Sequence, residues 1–125
     1  VNGKLYLVGG IGSDGVVGSV ANAYDAGTGQ SIELPPMPTA RYGASAVGLN
    51  GLLYVVGGRN KAHENTGTVE VYNPVTSQWH TLTALPTARS WLGAGVINSR
   101  LYAVGGHAVI ATGDAELATT QVYTP

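Results

Sequence analysis

Leu53-Tyr54-Val55-Val56-Gly57-Gly58 is one of three copies of the pattern Leu-Tyr-x-Val-Gly-Gly in this chain, at one fixed offset. It stands 48 residues earlier as Leu5-Tyr6-Leu7-Val8-Gly9-Gly10 and 48 residues later as Leu101-Tyr102-Ala103-Val104-Gly105-Gly106. Pro38-Thr39-Ala40-Arg41 returns at the same offset as Pro86-Thr87-Ala88-Arg89, and Tyr24 as Tyr72. A shared offset between motifs of different chemistry marks a true structural repeat. Units of this length that hold several short strands stack and bury their faces on one another.

The middle copy is complete. Gly43 to Val47 reads as a small, apolar strand, and Asn50-Gly51 as a hairpin turn, because both residue types tolerate positive φ. Leu52 to Val56 is a nearly continuous apolar run, the pattern of a strand covered on both faces. Arg59 to Thr66 is polar and irregular. Val69 to Tyr72 reads as a third strand and Asn73 to Ser77 as a turn, with Pro74 pre-setting one φ angle. Trp79 to Leu82 reads as a fourth strand. Four antiparallel strands per repeat describe one blade of a β-propeller. The chain is therefore expected to be all-β: one segment over 1–125, with repeats at approximately 1–41, 42–89 and 90–125. The stretch from Ala111 to Thr119 is expected to be a long loop with room for one helical turn. It contains a three-residue insertion, since Gly106 to Tyr123 is three longer than Gly58 to Tyr72.

Composition narrows the function classes. The chain is 44% hydrophobic with 10% charged residues and a formal charge of -1, which gives no basic footprint for nucleic acid or an anionic membrane. No run approaches the roughly 20 apolar residues of a membrane span, and Val1 lies close to the first strand, where no leader pattern is read. Without cysteine there is neither a disulfide framework nor a thiolate metal site. His63, His80 and His107 have no partner at ligand spacing, no nucleophile elbow surrounds Ser45, and no Gly-rich turn leads into a helix with a lysine. No cofactor is implied.

These residues resemble kelch repeats. The match is a strand ending in Gly-Gly, then a Tyr, a Trp seven residues on, and an Arg before the next strand. Gly57, Gly58, Tyr72, Trp79 and Arg89 fit it in full. Gly9, Gly10, Tyr24 and Arg41 fit with Ser31 in the Trp place, which suggests a thinner first blade compensated by Ile32. Gly105, Gly106 and Tyr123 fit to the end of the chain. The resemblance implies a kelch-type propeller segment acting as a binding module, with ligands held by loops around a central channel. Arg41 and Arg89 match the arginine that contacts acidic ligands in kelch adaptors; the alternative is that each ties down loop carbonyls. Tyr42 and Ser90, the next residues, and Ile11, Arg59 and His107, just after Gly-Gly, are expected on the same face. Trp91 stands where the previous repeat has Gly43, and either stacks on a ligand or plugs the channel. An acidic peptide is the first ligand expected and a carbohydrate the second. The competing classes are a sugar-acting, isomerase-like enzyme using Arg59, Arg89 and His107, and a purely structural propeller.

The strand count along the chain is expected to be three, four, three. Three blades do not close a ring, because propellers need about four to eight. The partners expected are therefore the remaining blades of a larger propeller, or identical chains completing the ring.

Overall fold

The computed structural model describes residues 1–110 and 113–125. Every regular element among them is a β-strand, in the order β1 Lys4–Val8, β2 Ala21–Asp25, β3 Gln30–Leu34, β4 Ser45–Leu49, β5 Leu52–Val56, β6 Val69–Asn73, β7 Gln78–Leu82, β8 Gly93–Ile97, β9 Arg100–Val104, β10 His107–Ile110, β11 Gly113–Glu116 and β12 Thr120–Tyr123. They form a three-stranded sheet β1-β2-β3, a four-stranded sheet β4-β5-β6-β7 and a three-stranded sheet β8-β9-β12, with β10-β11 a separate hairpin. All pairings are antiparallel. The fold is all-β, built of antiparallel blades, and the three-four-three count holds.

Alternation along β5 explains the stacking. Leu53 and Val55 join Tyr72 and Met37 in a core that also takes Tyr6, Val8 and Leu34 of the first sheet. Tyr54 and Val56, on the opposite side of the strand, join Val69 and Val71 in a second core with Leu101 and Ala103 of the third sheet. A strand with both faces covered needs apolar side chains at every position, which is what the run supplies. Its hairpin turn has Asn50 at φ 52° and Gly51 at φ 77°, and Asn98-Ser99 makes the corresponding turn at 49° and 59°.

Trp79 sits half-buried at the first seam rather than fully enclosed. Its ring lies 5.1 Å from that of Tyr72, tilted by 45°, and its Nε1 donates to the Pro35 carbonyl at 2.8 Å, bridging two blades. Ile32 does not make up for Ser31. The two are neighbours on one strand, so they point to opposite faces, and Ile32 is exposed. The inner strand of the central blade starts at Ser45 instead of Gly43, because Gly43 adopts φ 63°, outside strand geometry.

The long loop expected from Ala111 to Thr119 is in part strand: Gly113–Glu116 is β11, the second arm of a hairpin with β10. His107 pairs with Glu116 and Ile110 with Gly113; Ala111 and Thr112 lie outside the described residues. The same position opens a bridge in each blade: Ile11 with Val17, Arg59 with Asn65, and His107 with Glu116. The three inserted residues therefore lengthen an existing hairpin in the third blade.

Trp79→Phe keeps the ring contact and loses the bond to Pro35, so it should cost about 1 kcal/mol, whereas Trp79→Ala should cost about 3; urea unfolding measures both. Burial raises the phenols of Tyr6, Tyr54 and Tyr123 above their ordinary value. The folded state thus favours the neutral phenol. Its contribution is present below pH ~10 and is lost as pH rises further. Unfolding midpoints should fall above that pH, and Tyr54→Phe should make the fall shallower.

Candidate functional site

Each linker between blades carries Pro-Thr-Ala-Arg, and the arginine holds two blades at once. The Arg41 backbone binds the first blade: its N–H donates to Gly18 O at 3.1 Å and its carbonyl accepts from Gly10 N at 2.9 Å. The Arg41 side chain enters the central blade, where Nη1 donates to Gly57 O (3.0 Å) and Thr68 O (2.7 Å) and Nη2 to Val55 O (3.1 Å) and Glu70 Oε2 (3.0 Å). Arg89 repeats the arrangement. Its backbone binds Gly58 and Thr66, and its guanidinium binds Gly105 O, Thr119 O and Thr119 Oγ1 at 3.0–3.1 Å. Both arginines are fully buried. Of the two roles expected for them, this geometry supplies the one that ties down carbonyls; neither guanidinium is open to solvent here.

This clasp also accounts for Gly-Gly. A Cβ on Gly9 would run into the Arg41 carbonyl, and one on Gly57 would come within 2.5 Å of Arg89 O. Over Gly105 the nearest atom is Leu117 O at 3.4 Å.

Glu70 was not anticipated from sequence. It is fully buried, paired with Arg41 and bound by Thr39 Oγ1 at 2.6 Å. Burial pushes the Arg41 guanidinium below its ordinary value and Glu70 pushes it back up. Arg89 is lowered by burial, and it faces a neutral group in the corresponding place. With its amide oriented to suit its neighbours, Gln121 accepts from Thr87 N (3.0 Å), Thr87 Oγ1 (2.9 Å) and Arg89 Nη2 (3.3 Å). The available signal was a lone acid between Val69 and Val71, on a strand too apolar to leave it in water.

The residues next to the arginines lie at one end of the blades. Tyr42 and Arg59 exchange backbone hydrogen bonds at 3.0 and 2.7 Å, as do Ser90 and His107. Trp91 N donates to Gly43 O at 2.7 Å, joining the central and third blades. Trp91 adopts φ 56° and its indole lies over Gly43, where an added Cβ would meet it at 3.1 Å. The residue as a whole is 64% exposed. Tyr42 packs edge-on between Trp91 (6.0 Å) and His63 (5.8 Å), and its hydroxyl is 3.0 Å from His63 Nδ1. Arg59 is half-buried and forms no ion pair among the described residues. Tyr42, Arg59, Trp91 and His63 thus converge. Ser90 is buried, donating to Asn65 Oδ1 at 2.7 Å. His107 Nε2 lies 3.9 Å from Asp114 Oδ2. Ile11 is exposed beside the first-blade hairpin. Of the residues the enzyme alternative needs, Arg89 is engaged by the third blade.

Two clefts open between blades at related positions. One, of about 480 Å³, is lined by Ser19, Pro38, Thr39, Ala40, Asn60, Lys61 and Ala62. The other, of about 430 Å³, is lined by His63, Glu64, Asn65, Ala88 and Val109. Ala88 and Val109 correspond to Ala40 and Lys61 one repeat earlier, so the first cleft has a cation where the second has an apolar group. No group of three His, Cys, Asp or Glu residues among the described residues is placed to hold a metal ion.

Removing Glu70 leaves a buried guanidinium short of a partner. Glu70→Ala should cost about 3–5 kcal/mol. Glu70→Gln should cost clearly less, because Arg89 is already served by a glutamine at the matching position; chemical denaturation of the two variants measures the difference.

Residues 40–86 match the family model of the kelch motif, a span that contains the whole four-stranded sheet. No curated protein matches the chain.

Proposed function

We propose that this chain, which carries a kelch motif over residues 40–86, is a binding module whose ligand rests where Tyr42, Arg59, His63 and Trp91 converge. The kelch motif itself indicates a protein-interaction or structural propeller module. The observation that carries the finer reading is the posture of Trp91. A non-glycine residue at φ 56° is strained by roughly 1–2 kcal/mol, and the residue is mostly in solvent. The fold gains little from that placement, whereas a ligand gains a flat apolar surface with an N–H at its rim.

The ligand that best suits this end is a peptide carrying carboxylates. Arg59 has no acidic partner among the described residues, and a guanidinium fork fits a carboxylate in two-pronged fashion. Lys61 adds charge on the cleft beside it, while Glu64 places the opposing charge on the other cleft. A carbohydrate is the second reading, favoured by the exposed indole. The buried Arg41 and Arg89 act in this scheme as positioning residues, fixing the backbone of Tyr42 and Ser90. The binding end surrounds a channel completed by further blades, from a longer protein or from identical chains.

Titration with an Asp/Glu-rich peptide and with a neutral gluco-oligosaccharide, read from the Trp91 indole N–H resonance, tests the reading. The peptide should shift the resonance saturably, with affinity reduced at least tenfold by Arg59→Ala and by high salt. Trp91→Gly removes the reporting indole and is therefore followed by calorimetry; it should abolish the binding heat without lowering stability, since glycine relaxes the positive φ. A shift with the sugar alone moves the assignment to carbohydrate. No shift with either probe rejects a binding role at this end and leaves the structural propeller.

A further inference from the structure

Arg59, Asn65 and Ser90 meet where the central blade touches the third, and their hydrogen bonds do not balance. Arg59 and Asn65 are antiparallel bridge partners at the base of one hairpin, so their side chains leave the same face of it. The tip of that hairpin is held in shape by Asn60 Oδ1, which accepts from Ala62 N at 2.9 Å and Glu64 N at 3.1 Å. Ser90, on the linker into the third blade, is fully buried. Its hydroxyl donates to Asn65 Oδ1 at 2.7 Å. That bond occupies the acceptor end of the amide and leaves the donor end, Nδ2, free.

Asn65 Nδ2 is buried and meets no acceptor among the described residues, and the same holds for Arg59 Nε. A buried donor with no acceptor carries an uncompensated desolvation cost, and here two such donors share one face of one hairpin. Nothing nearby in the chain serves them. Glu64 is the neighbour of Asn65 and lines the same cleft of about 430 Å³, yet it forms no ion pair with Arg59. The acceptor that suits both donors is therefore one that a ligand brings.

We propose that Asn65 is a specificity-determining residue of the binding end: its Nδ2 and the Arg59 guanidinium hold one carboxylate of the ligand between them, one oxygen each. Ser90 is a positioning residue that acts through Asn65 from across the seam. The inference rests on the ligand site proposed above and adds a requirement to it. A carboxylate has two acceptor oxygens and a charge, so it serves an amide donor and a guanidinium together. A side-chain amide has one acceptor oxygen, and its NH2 group would oppose Nδ2. A sugar hydroxyl accepts from either donor but brings no charge to Arg59. The pair thus separates Asp or Glu from Asn or Gln at one position of the ligand, because the wrong partner leaves a buried donor unpaired. The face of Trp91 cannot make that distinction, since stacking does not read charge. Glu64 works against a carboxylate in the same cleft by its like charge.

The side-chain amide resonances of Asn65 test this, in protein titrated with an Asp/Glu-rich peptide, with the same peptide carrying Asn/Gln instead, and with succinate. The Asn65 NH2 pair should shift saturably with the acidic peptide and with succinate, and not with the amide peptide. Asn65→Asp keeps an acceptor for Ser90 and replaces the donor by a second oxygen. It should weaken the acidic peptide at least tenfold and abolish the preference for it over the amide peptide. Ser90→Ala frees the Asn65 amide to turn and should narrow that preference severalfold, a ratio that a loss of stability alone does not change. Glu64→Gln should tighten the acidic peptide severalfold. If the acidic peptide shifts the Trp91 resonance while the Asn65 pair stays still, the inference is overturned and the ligand site stands. Equal shifts with both peptides, or a wild-type preference retained by Asn65→Asp, overturn it as well. If succinate shifts the Asn65 pair and neither peptide moves Trp91, the carboxylate pair stands and the peptide site does not. An Asn65 pair that answers none of the three probes overturns the inference.

Discussion

The buried guanidinium between blades is the constraint on which the other features depend. A propeller blade has few contacts along its own length that fix its angle to the next. Arg41 supplies that angle by binding one blade with its backbone and the next with its side chain. A planar fork with five donors can satisfy several carbonyls at once, and a lysine could not span Val55, Gly57 and Thr68 in one plane. The carbonyls of Val55, Gly57 and Thr68 meet the guanidinium in the seam, which donates to each of them. Without it each of these acceptors would lose a hydrogen bond in a buried place. The arginine meets this need, and that need accounts for Thr39, Glu70 and the glycines at 9 and 57 around it.

The clasp is built with different chemistry at its two positions. Around Arg41 a carboxylate completes the shell; around Arg89 an amide and a threonine do. In a low-dielectric seam the Coulombic gain of an ion pair is largely offset by the desolvation of both ions. Hydrogen-bond geometry, common to both seams, is therefore the shared requirement, and net charge at position 70 or 121 is free to vary. Local variation appears again in the third blade, where the inner hairpin is lengthened without disturbing the seam beneath it. Hairpin tips lie outside the stacked faces, so added residues there do not have to be packed.

The same geometry separates the buried arginines from the solvent-facing residues beside them. Arg41 and Arg89 precede Tyr42 and Ser90 directly, yet lie on the inner side of the linker, whereas Tyr42, Arg59, His63 and Trp91 lie at its outer end. Tyr42 and His63 hold one another through a hydrogen bond and an edge-on ring contact, and Trp91 is held by its own N–H to Gly43. Rigid aromatic side chains with few torsions lose little entropy on contact with a ligand, and this end of the blades has that character.

The sequence alone determined the repeat spacing, the strand order within the central copy and the two-sided burial of β5. Each follows from local periodicity repeated at a fixed offset, and a 48-residue register cannot be kept by chance at Gly-Gly, Tyr and Arg together. It also marked Trp91 as out of pattern, because the comparison with Gly43 lies within one chain. Tertiary structure alone decided which side of the linker the arginines face. A residue type and its spacing say that a guanidinium is required at a junction, but not whether its partners are carbonyls or solvent. Glu70 and His63 became part of the picture for the same reason: their partners, Arg41 and Tyr42, are 29 and 21 residues away, and such distances are set by how blades stack and not by any local pattern. The conversion of the stretch after Gly106 into a hairpin was likewise decided by pairing across the turn, which neither strand displays in its own residues.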